Sequence, residues 1–258
     1  MIRRNAYIRP SVRQAEICDL IAKRGEISVG GLAEKFDASA ETIRRDLTIL
    51  ADAGQIRKVH GGARSLSPQG EGVFDARMRR NALAKRLIAE KVVALVAPQQ
   101  TVFLDTGSTT LICAEAMARI KKLTVVTNST RIAATFAEGA GGADVYLLGG
   151  RYRSDNAQTV GAETITEVAR FRADMAIITV AAIDAGNAMD FSNDEAQVAR
   201  AMIAASAQTI IVADHTKFNR AAPFNVCNLN GINTLVSDRA PDTALEGALI
   251  DANVNVQW

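Results

Sequence analysis

Histidine and cysteine, the residues that build most metal sites and all disulfides, are scarce in this sequence. Its 258 residues include two histidines and three cysteines. Cys18, Cys113 and Cys227 are odd in number, far apart and in apolar surroundings, which predicts reduced core thiols in a cytoplasmic protein. Neither a Cys-x-x-Cys nor a His-Glu-x-x-His motif occurs, so we expect no metal and no cofactor.

Long apolar runs are also missing. No segment approaches the roughly 18 apolar residues that a transmembrane helix needs, so we expect no membrane partner. Residues 1–10 are basic but are not followed by an apolar core, which argues against a secretory signal. The hydrophobic fraction of 48% is ordinary for a globular chain, and the length suffices for a small domain plus a medium one.

The charge is unevenly distributed along the chain. Residues 1–66 hold 12 Lys and Arg against 8 Asp and Glu, whereas the rest of the chain is slightly acidic. This difference fits a small domain that faces nucleic acid, joined to a nearly neutral body.

Residues 1–64 have the apolar spacing of three short helices. The pattern predicts a first helix over residues 12–23 that ends at Gly25, a second around residues 32–36, and a third after residue 39. Ser39 is a suitable N-cap for the third helix, and Gly54 is suited to end it. The side chains expected to face inward are Ile17, Leu20, Ile21, Leu32, Ala33, Phe36, Ile43, Leu47 and Leu50.

The outward side of the third helix carries Thr42, Arg44 and Arg45, which suit base edges in a DNA major groove. A basic hairpin follows and suits the flanking phosphates. The alternative is a three-helix unit whose arginines are only solvated. The order of turn, cap, paired arginines and basic hairpin favours a winged helix-turn-helix that binds double-stranded operator DNA. The candidate DNA-binding residues are Ser39, Thr42, Arg44, Arg45, Arg57, Lys58 and His60.

This segment resembles the N-terminal domain of the DeoR family of regulators. The resemblance is carried by Gly25-x-Ile27-x-Val29-x-x-Leu32-Ala33-x-x-Phe36-x-x-Ser39-x-x-Thr42-Ile43-Arg44-Arg45-Asp46-Leu47-x-x-Leu50-x-x-x-Gly54, closed by His60-Gly61-Gly62-Ala63. One departure is Gly30-Gly31, where the family has a polar residue and Glu. Two interior glycines are expected to weaken the second helix, each by roughly 1 kcal/mol.

A polar stretch rich in Pro, Gly and Ser, residues 65–72, marks a boundary between domains. We expect a winged helix-turn-helix domain over residues 1–64, a linker over 65–80 and an α/β domain over 81–258. One long helix is predicted over residues 74–96. Strands of a mainly parallel sheet are predicted over residues 101–104, 123–127, 144–148, 175–180, 209–213 and 234–236.

Polar segments follow several of these strands, where α/β sheets bind ligands. In residues 105–110, glycine and hydroxyl side chains precede a helix, a combination that suits a phosphate. Asp105 disfavours an anion directly above it, so we expect it to bind a sugar hydroxyl or to cap the loop. Further polar segments begin at Thr127, Gly149, Asp190 and Asp214.

The resemblance to the DeoR family extends over the body, through residues 105–110, 126–128, 148–150, Gly161 and 212–218. It implies a sensor domain similar in fold to ribose-5-phosphate isomerase, which binds phosphorylated sugars or polyols. Residues 182–195 most resemble the glycerol-3-phosphate repressor branch. The ligand-binding residues that motif and resemblance together indicate are Asp105, Thr106, Gly107, Ser108, Thr109, Thr110, Thr127, Asn128, Gly150, Arg151, Glu195, Asp214 and Lys217.

Two functions are compatible with these patterns. The first is a transcriptional repressor, a dimer or tetramer whose heads leave the operator when a phosphorylated sugar or polyol binds. The second is a sugar-phosphate isomerase or CoA-transferase-like enzyme on the same scaffold. The isomerase loop resembles Asp-Gly-Ala-Asp, whereas residues 181–186 contain one carboxylate, Asp184. The sequence therefore favours the regulator over the enzyme.

Overall fold

The computed structural model describes residues 10–24, 26–53, 55–64 and 74–258. The chain divides into two compact units, Met1–Arg77 and Met78–Trp258. The predicted helix ends at Gly25 and Gly54, and the linker segment 65–73, lie outside the described residues.

The first unit contains three helices and a three-stranded antiparallel sheet of order β1-β3-β2. The inward positions predicted from the sequence are confirmed: seven form the core, while Leu20 and Ala33 are partly buried against it. The elements are α1 (Pro10–Arg24), β1 (Glu26–Ser28), α2 (Val29–Phe36), α3 (Ala40–Asp52), β2 (Arg57–Val59) and β3 (Gly62–Arg64).

Side-chain caps start α2 and α3. Ser28 Oγ accepts a hydrogen bond from the Gly31 backbone N–H at 3.1 Å, and Ser39 Oγ accepts one from Thr42 at 3.1 Å. Both satisfy amides that have no partner inside the helix. The predicted N-cap of the third helix is therefore confirmed, and the cap of α2 holds the glycine-containing helix in place.

A buried ion pair joins α1 to α3. Asp46 Oδ2 lies 2.6 Å from Arg13 Nε, with side chains that are 4% and 10% exposed. Gln14 Nε2 donates to the other oxygen, Asp46 Oδ1, at 2.9 Å. Asp46 thus occupies the core side of the helix whose opposite side carries Arg44 and Arg45, and it fixes the helix against α1.

The wing is the β2–β3 hairpin, which turns at Gly61 with φ of +77°. Its second strand packs so closely on β1 that a Cβ at Gly62 would lie 2.4 Å from the Ile27 carbonyl oxygen. A Cβ at Gly30, by contrast, would meet no atom within 4 Å.

Helix α4 (Phe74–Arg79) spans the boundary between the units. The prediction of a single helix over residues 74–96 is wrong, because the helix is interrupted at Asn81, whose φ of +54° lies in the left-handed region. Asparagine adopts this conformation more readily than most residues. The helices of the second unit are α5 (Ala82–Leu95), α6 (Ser108–Met117), α7 (Thr130–Ala137), α8 (Ala162–Val168), α9 (Asn193–Ala204) and α10 (Thr243–Asp251).

A seven-stranded parallel sheet of order β15-β14-β12-β9-β4-β5-β6 forms the body of the second unit. All six predicted strands belong to it. The strands of this unit are β4 (Thr101–Leu104), β5 (Thr124–Thr127), β6 (Asp144–Leu147), β7 (Arg151–Arg153), β8 (Gln158–Val160), β9 (Ala173–Thr179), β10 (Ala182–Ile183), β11 (Asn187–Asp190), β12 (Ser206–Val212), β13 (Phe224–Asn228), β14 (Thr234–Val236) and β15 (Asn255–Gln257).

The order of the sheet reverses between β4 and β9. From β4 the chain proceeds outward through β5 and β6, then returns to β9 on the other side of β4. In doubly wound sheets this switch point opens a crevice beyond the carboxyl ends of the two strands. The fold predicted from the sequence, a winged helix-turn-helix plus an α/β domain, is confirmed.

Smaller elements surround that edge of the sheet. The antiparallel sheet β10-β11-β13 and the β7–β8 hairpin were not predicted, and two 3₁₀ turns occupy His215–Lys217 and Leu229–Gly231. The cysteines carry thiols rather than disulfides, and burial raises the pKa of the Cys113 thiol to about 12. In the described part of the chain, no helix has both the length and the apolarity needed to cross a membrane.

The contrast between Gly30 and Gly62 yields a paired prediction. Gly30→Ala should stabilise the first unit by about 0.5–1 kcal/mol, because alanine loses less conformational freedom in a helix and meets no neighbour. Gly62→Ala should destabilise it by about 1–3 kcal/mol, because the new methyl group displaces strand β1. Hydrogen exchange of the α2 and α3 amides in the full chain measures both, and equal signs would contradict the packing described here.

The Arg13–Asp46 pair yields a second prediction. Asp46→Ala should destabilise the first unit by about 3–5 kcal/mol, because it removes the carboxylate that balances a buried guanidinium. The matched control is Glu41→Ala in the same helix, whose exposed pair with Arg44 should contribute at most about 1 kcal/mol. The same exchange measurement compares them, and a similar loss in both variants would show that burial of the pair has no energetic role.

Candidate functional site

The exposed side of α3 carries the two arginines that the sequence singles out. Arg44 Nη1 lies 3.2 Å from Glu41 Oε2, and the two side chains are 61% and 82% exposed. Arg45 is exposed and Thr42 is half-buried. Because an exposed ion pair costs little to open, Arg44 can exchange Glu41 for an anionic partner.

The wing lies beside this helix. Lys58 Nζ, on β2, donates to Thr48 Oγ1 on α3 at 3.0 Å, and Thr48 Oγ1 in turn donates to the Arg44 carbonyl oxygen at 2.9 Å. At the other end of the helix, Ser39 Oγ and Thr42 Oγ1 are 2.8 Å apart. Arg57, Lys58 and His60 are all exposed, so α3 and the wing form one basic surface.

In the second unit the switch point holds the other candidate site. Residues 105–110 are all buried, and α6 starts at Ser108 after Gly107, which has no side chain to cap it. The first amides of a helix have no intrahelical acceptor, so they can bind an anion. A Cβ at Gly107 would lie 2.3 Å from Thr179 Cγ2, so a side chain at this position would require Thr179 to shift.

Lys85, which sequence reasoning missed, reaches the same helix end. Its side chain is buried, with 4% of the residue exposed, and Nζ donates to Ser108 Oγ at 2.9 Å. The signal was present in the sequence, because Lys85 shares the buried face of α5 with Ile88, Ala89 and Val92. A lysine on the apolar face of an amphipathic helix is costly unless it meets a polar site.

Asp105, the first residue of the loop, is hydrogen bonded to the end of β9. Both carboxylate oxygens lie within 3.2 Å of the Thr179 backbone nitrogen, which donates to them. Burial raises the pKa of Asp105 well above its usual range, and the nearby carboxylates of Asp190 and Glu195 raise it further, while the Thr179 hydrogen bond lowers it. The structure thus shows Asp105 in a capping role, acting on the end of β9.

A chain of amide and hydroxyl groups extends from this loop to α9. Thr106 Oγ1 donates to Asn128 Oδ1 at 3.2 Å, and Asn128 Nδ2 lies 3.4 Å from Gln158 Oε1. Gln158 Nε2 donates to Glu195 Oε1 at 2.8 Å, and Asn156 Nδ2 donates to the same oxygen at 3.0 Å. The chain orients three predicted residues, Thr106, Asn128 and Glu195, through two that were not predicted.

The end of β12 forms the other side of the crevice. Asp214 is buried, and its Oδ1 accepts hydrogen bonds from Thr216 N and Asn81 Nδ2, both at 3.0 Å. Lys217 follows on the 3₁₀ turn, where its backbone N–H donates to the Asp214 carbonyl oxygen. His215 Nδ1 is 2.8 Å from Asp238 Oδ2, which fixes the turn from outside.

Some predicted ligand residues have other contacts. Thr127 is fully buried, and its Oγ1 accepts from Ser129 N at 3.1 Å. Gly150 has a φ of +130°, and a Cβ there would meet Thr164 Oγ1. Arg151 is exposed and pairs with Asp194 at 2.6 Å. Thr110 Oγ1 donates to the Asp105 carbonyl oxygen at 3.0 Å.

Both positively polarised donors and acidic side chains belong to the crevice. The α6 amides and the Lys85 ammonium group are donors, whereas the carboxyl groups of Asp190 and Glu195 lie close enough to Asp105 to raise its pKa. Among the described residues, no group of three or more His, Cys, Asp and Glu side chains is placed to hold a metal ion. The site therefore has the donors for an anion and the acceptors for hydroxyl groups.

Each of the two units matches a model of a known protein family. A model described as the DeoR-like helix-turn-helix domain matches residues 13–69, and one described as the DeoR C terminal sensor domain matches residues 80–239. A glycerol-3-phosphate regulon repressor of Haemophilus influenzae is 35% identical to this chain, and the alignment covers 91% of this chain and 92% of the repressor. The repressor CsqR of Escherichia coli is 33% identical, and the alignment covers 95% of this chain and 94% of CsqR.

Among solved structures, a ribose 5-phosphate isomerase of Methanocaldococcus jannaschii aligns over 54% of this chain and 55% of its own, at 14% identity and a TM-score of 0.40. The two family models and the relatives at 30% identity or more, which align over most of the chain, are decisive. The chain belongs to the DeoR family of transcriptional regulators, with a DeoR-like helix-turn-helix in its first unit and a DeoR sensor domain in its second.

Proposed function

We propose that this protein represses a carbohydrate or polyol catabolic operon and leaves its operator when a phosphorylated sugar or polyol binds the second unit. The observation that carries the proposal is the pairing, in one chain, of an exposed arginine pair on a capped helix with an anion cradle at a sheet switch point. The relatives named as glycerol-3-phosphate regulon repressors support glycerol 3-phosphate as one candidate effector.

On DNA, α3 enters the major groove and the wing contacts the backbone. Arg44 and Arg45 suit the acceptors of guanine, and Thr42 suits base edges near the start of the helix. Ser39, Arg57, Lys58 and His60 suit phosphates, which fix position without reading sequence. Because phosphate contacts release counterions, operator binding should weaken steeply as salt rises.

In the sensor, the effector contacts both the donors and the acidic side chains of the crevice. Its phosphate binds the amides of residues 107–110 and the ammonium groups of Lys85 and Lys217. Its hydroxyl groups donate to the carboxylates of Glu195 and Asp214, with Asn128 oriented by Gln158. A molecule with a phosphate at one end and hydroxyls along its length matches these groups, whereas a neutral sugar offers no anionic group to the α6 amides and the two lysines.

Two or more heads must act together for the effector to cause release. We propose a homo-oligomer, a dimer or tetramer, whose heads hold neighbouring half-sites in the effector-free state. A coupling free energy of about 1–3 kcal/mol would change operator affinity roughly 5- to 150-fold.

The alternative of an isomerase-like enzyme has little support. In the loop where the isomerase pattern has two carboxylates, this chain has only Asp184, whose Oδ1 accepts hydrogen bonds from Gly186 and Asn187 in the β10–β11 turn. A general base must accept a proton from substrate instead. The matched relatives are also named as repressors, which agrees with a regulator.

The DNA-binding proposal predicts that Arg44→Ala and Arg45→Ala each weaken operator binding roughly 5- to 150-fold and leave effector affinity unchanged. Each arginine that binds a guanine should contribute about 1–3 kcal/mol of discrimination. Fluorescence anisotropy with duplexes from promoters next to the gene measures operator binding, with Arg170→Ala as the control on an exposed arginine of the second unit. Operator affinity that survives both substitutions would show that α3 is not the recognition helix.

The sensor proposal predicts that Lys85→Met and Lys217→Ala bind the operator normally but are not released. Loss of one charge-assisted hydrogen bond of about 1.5–3 kcal/mol should weaken effector binding roughly 10- to 150-fold. A thermal-shift and calorimetry panel of phosphorylated sugars and polyols measures this, with Lys91→Met, six residues further along α5, as the control.

Replacing Gly107 by valine should have the same effect, because the side chain would collide with Thr179 at the phosphate cradle. Variants at Lys85, Lys217 and Gly107 that respond normally to every compound of the panel would contradict the proposed site.

A further inference from the structure

The first turn of α5 is tied to both sides of the ligand crevice. At its start, Asn81 Nδ2 donates to Asp214 Oδ1 at 3.0 Å and to Thr216 Oγ1 at 3.2 Å, beyond the end of β12. One turn later, Lys85 Nζ donates to Ser108 Oγ beyond the end of β4. Within the turn, the Lys85 N–H donates to the Asn81 carbonyl oxygen at 3.1 Å. A displacement of either tie is therefore transmitted to the other through a single helical turn.

The backbone at Asn81 separates this turn from helix α4. Its φ of +54° separates α4 from α5, so the two helices do not form one rigid rod. The amide of Asn81 does not cap α5, because its two hydrogen bonds go to the crevice residues instead. The conformation that breaks the helix is thus held in place by contacts with Asp214 and Thr216.

Along the chain, this turn lies close to the boundary between the two units. The second unit begins at Met78, and α4 extends across the boundary from Phe74 to Arg79. Asn81 is therefore the first residue after α4 whose side chain is hydrogen bonded to residues proposed to bind the effector. The covalent path from the sensor to the DNA-binding unit starts at this point.

We propose that Asn81 is a coupling residue, which transmits occupancy of the crevice to the segment that leads to the DNA-binding unit; this inference rests on the proposed function. A phosphate at the start of α6 attracts Lys85 Nζ away from Ser108 Oγ, and a ligand hydroxyl that donates to Asp214 competes with the Asn81 amide. Both changes alter the same turn. An effector shifts a conformational equilibrium only through such differential contacts.

The decisive variant is Asn81→Gly in the full chain. Glycine adopts the left-handed conformation without strain, so the substitution removes the amide and still permits the backbone conformation of Asn81. Asn253→Gly is the matched control, since Asn253 has a φ of +60° and lies in the second unit near the chain end. Asn81→Asp is a second variant, which keeps the size of the side chain but places a carboxylate against Asp214.

The measurement is the ratio of operator dissociation constants with and without saturating effector, using glycerol 3-phosphate and ribose 5-phosphate as probes. Effector affinity is measured separately by calorimetry. In Asn81→Gly and Asn81→Asp we expect the ratio to fall below about twofold, from the roughly 5- to 150-fold typical of coupled sites, while effector binding is retained. Asn253→Gly should keep the wild-type ratio.

The possible failures are distinguishable. A wild-type ratio in both Asn81 variants, or an equal loss in Asn253→Gly, would overturn the coupling role and leave the proposed function intact. Loss of effector binding in Asn81→Gly would also overturn it, because Asn81 would then bind the ligand itself. A wild-type protein whose operator affinity responds to no phosphorylated sugar or polyol would contradict the proposed function, and this inference with it.

Discussion

The hydrogen bond from the Thr179 amide to the buried Asp105 carboxylate is the constraint around which the sensor unit is organised. It joins the ends of β4 and β9 where the order of the sheet reverses, and both carboxylate oxygens lie within 3.2 Å of the amide nitrogen. Burying a carboxylate is costly unless it is hydrogen bonded. In the same loop, a Cβ at Gly107 would lie 2.3 Å from Thr179 Cγ2, and α6 begins at Ser108 with first-turn amides that have no side-chain cap.

The first unit depends on a comparable buried carboxylate. Asp46 holds α3 against α1 through Arg13 and Gln14, so Arg44 and Arg45 project from a helix that cannot rotate about its axis. Side chains that must meet base edges need such a fixed support. In both units, then, a buried acidic residue is hydrogen bonded within the protein and supports the element that carries the proposed contacts.

Local patterns made much of this structure predictable. Apolar spacing indicated α1 to α3 and six strands, while glycine and hydroxyl residues after a strand indicated the crevice loop. The helix break at Asn81 was missed because residues 74–96 have a helical pattern throughout, and the left-handed conformation depends on contacts with Asp214 and Thr216, more than 130 residues away. The roles of Gln158 and Asn156 were missed for the same reason, because both orient a carboxylate that belongs to α9.

The hydrogen bonds of the crevice suit ligand binding better than catalysis. Asp105, Asp184, Asp214 and Glu195 each accept hydrogen bonds from protein amides or hydroxyls, which stabilise the arrangement of the loops around them. A carboxylate held in this way orders the site, but it is poorly placed to take a proton from carbon, which requires an oxygen directed at the substrate. The same hydrogen bonds suit a sensor, because a ligand that displaces one of them changes the packing of the element that supplied it. In this chain one such element is the first turn of α5, which hydrogen-bonds both Asp214 and Ser108 and is the turn through which we propose that binding acts.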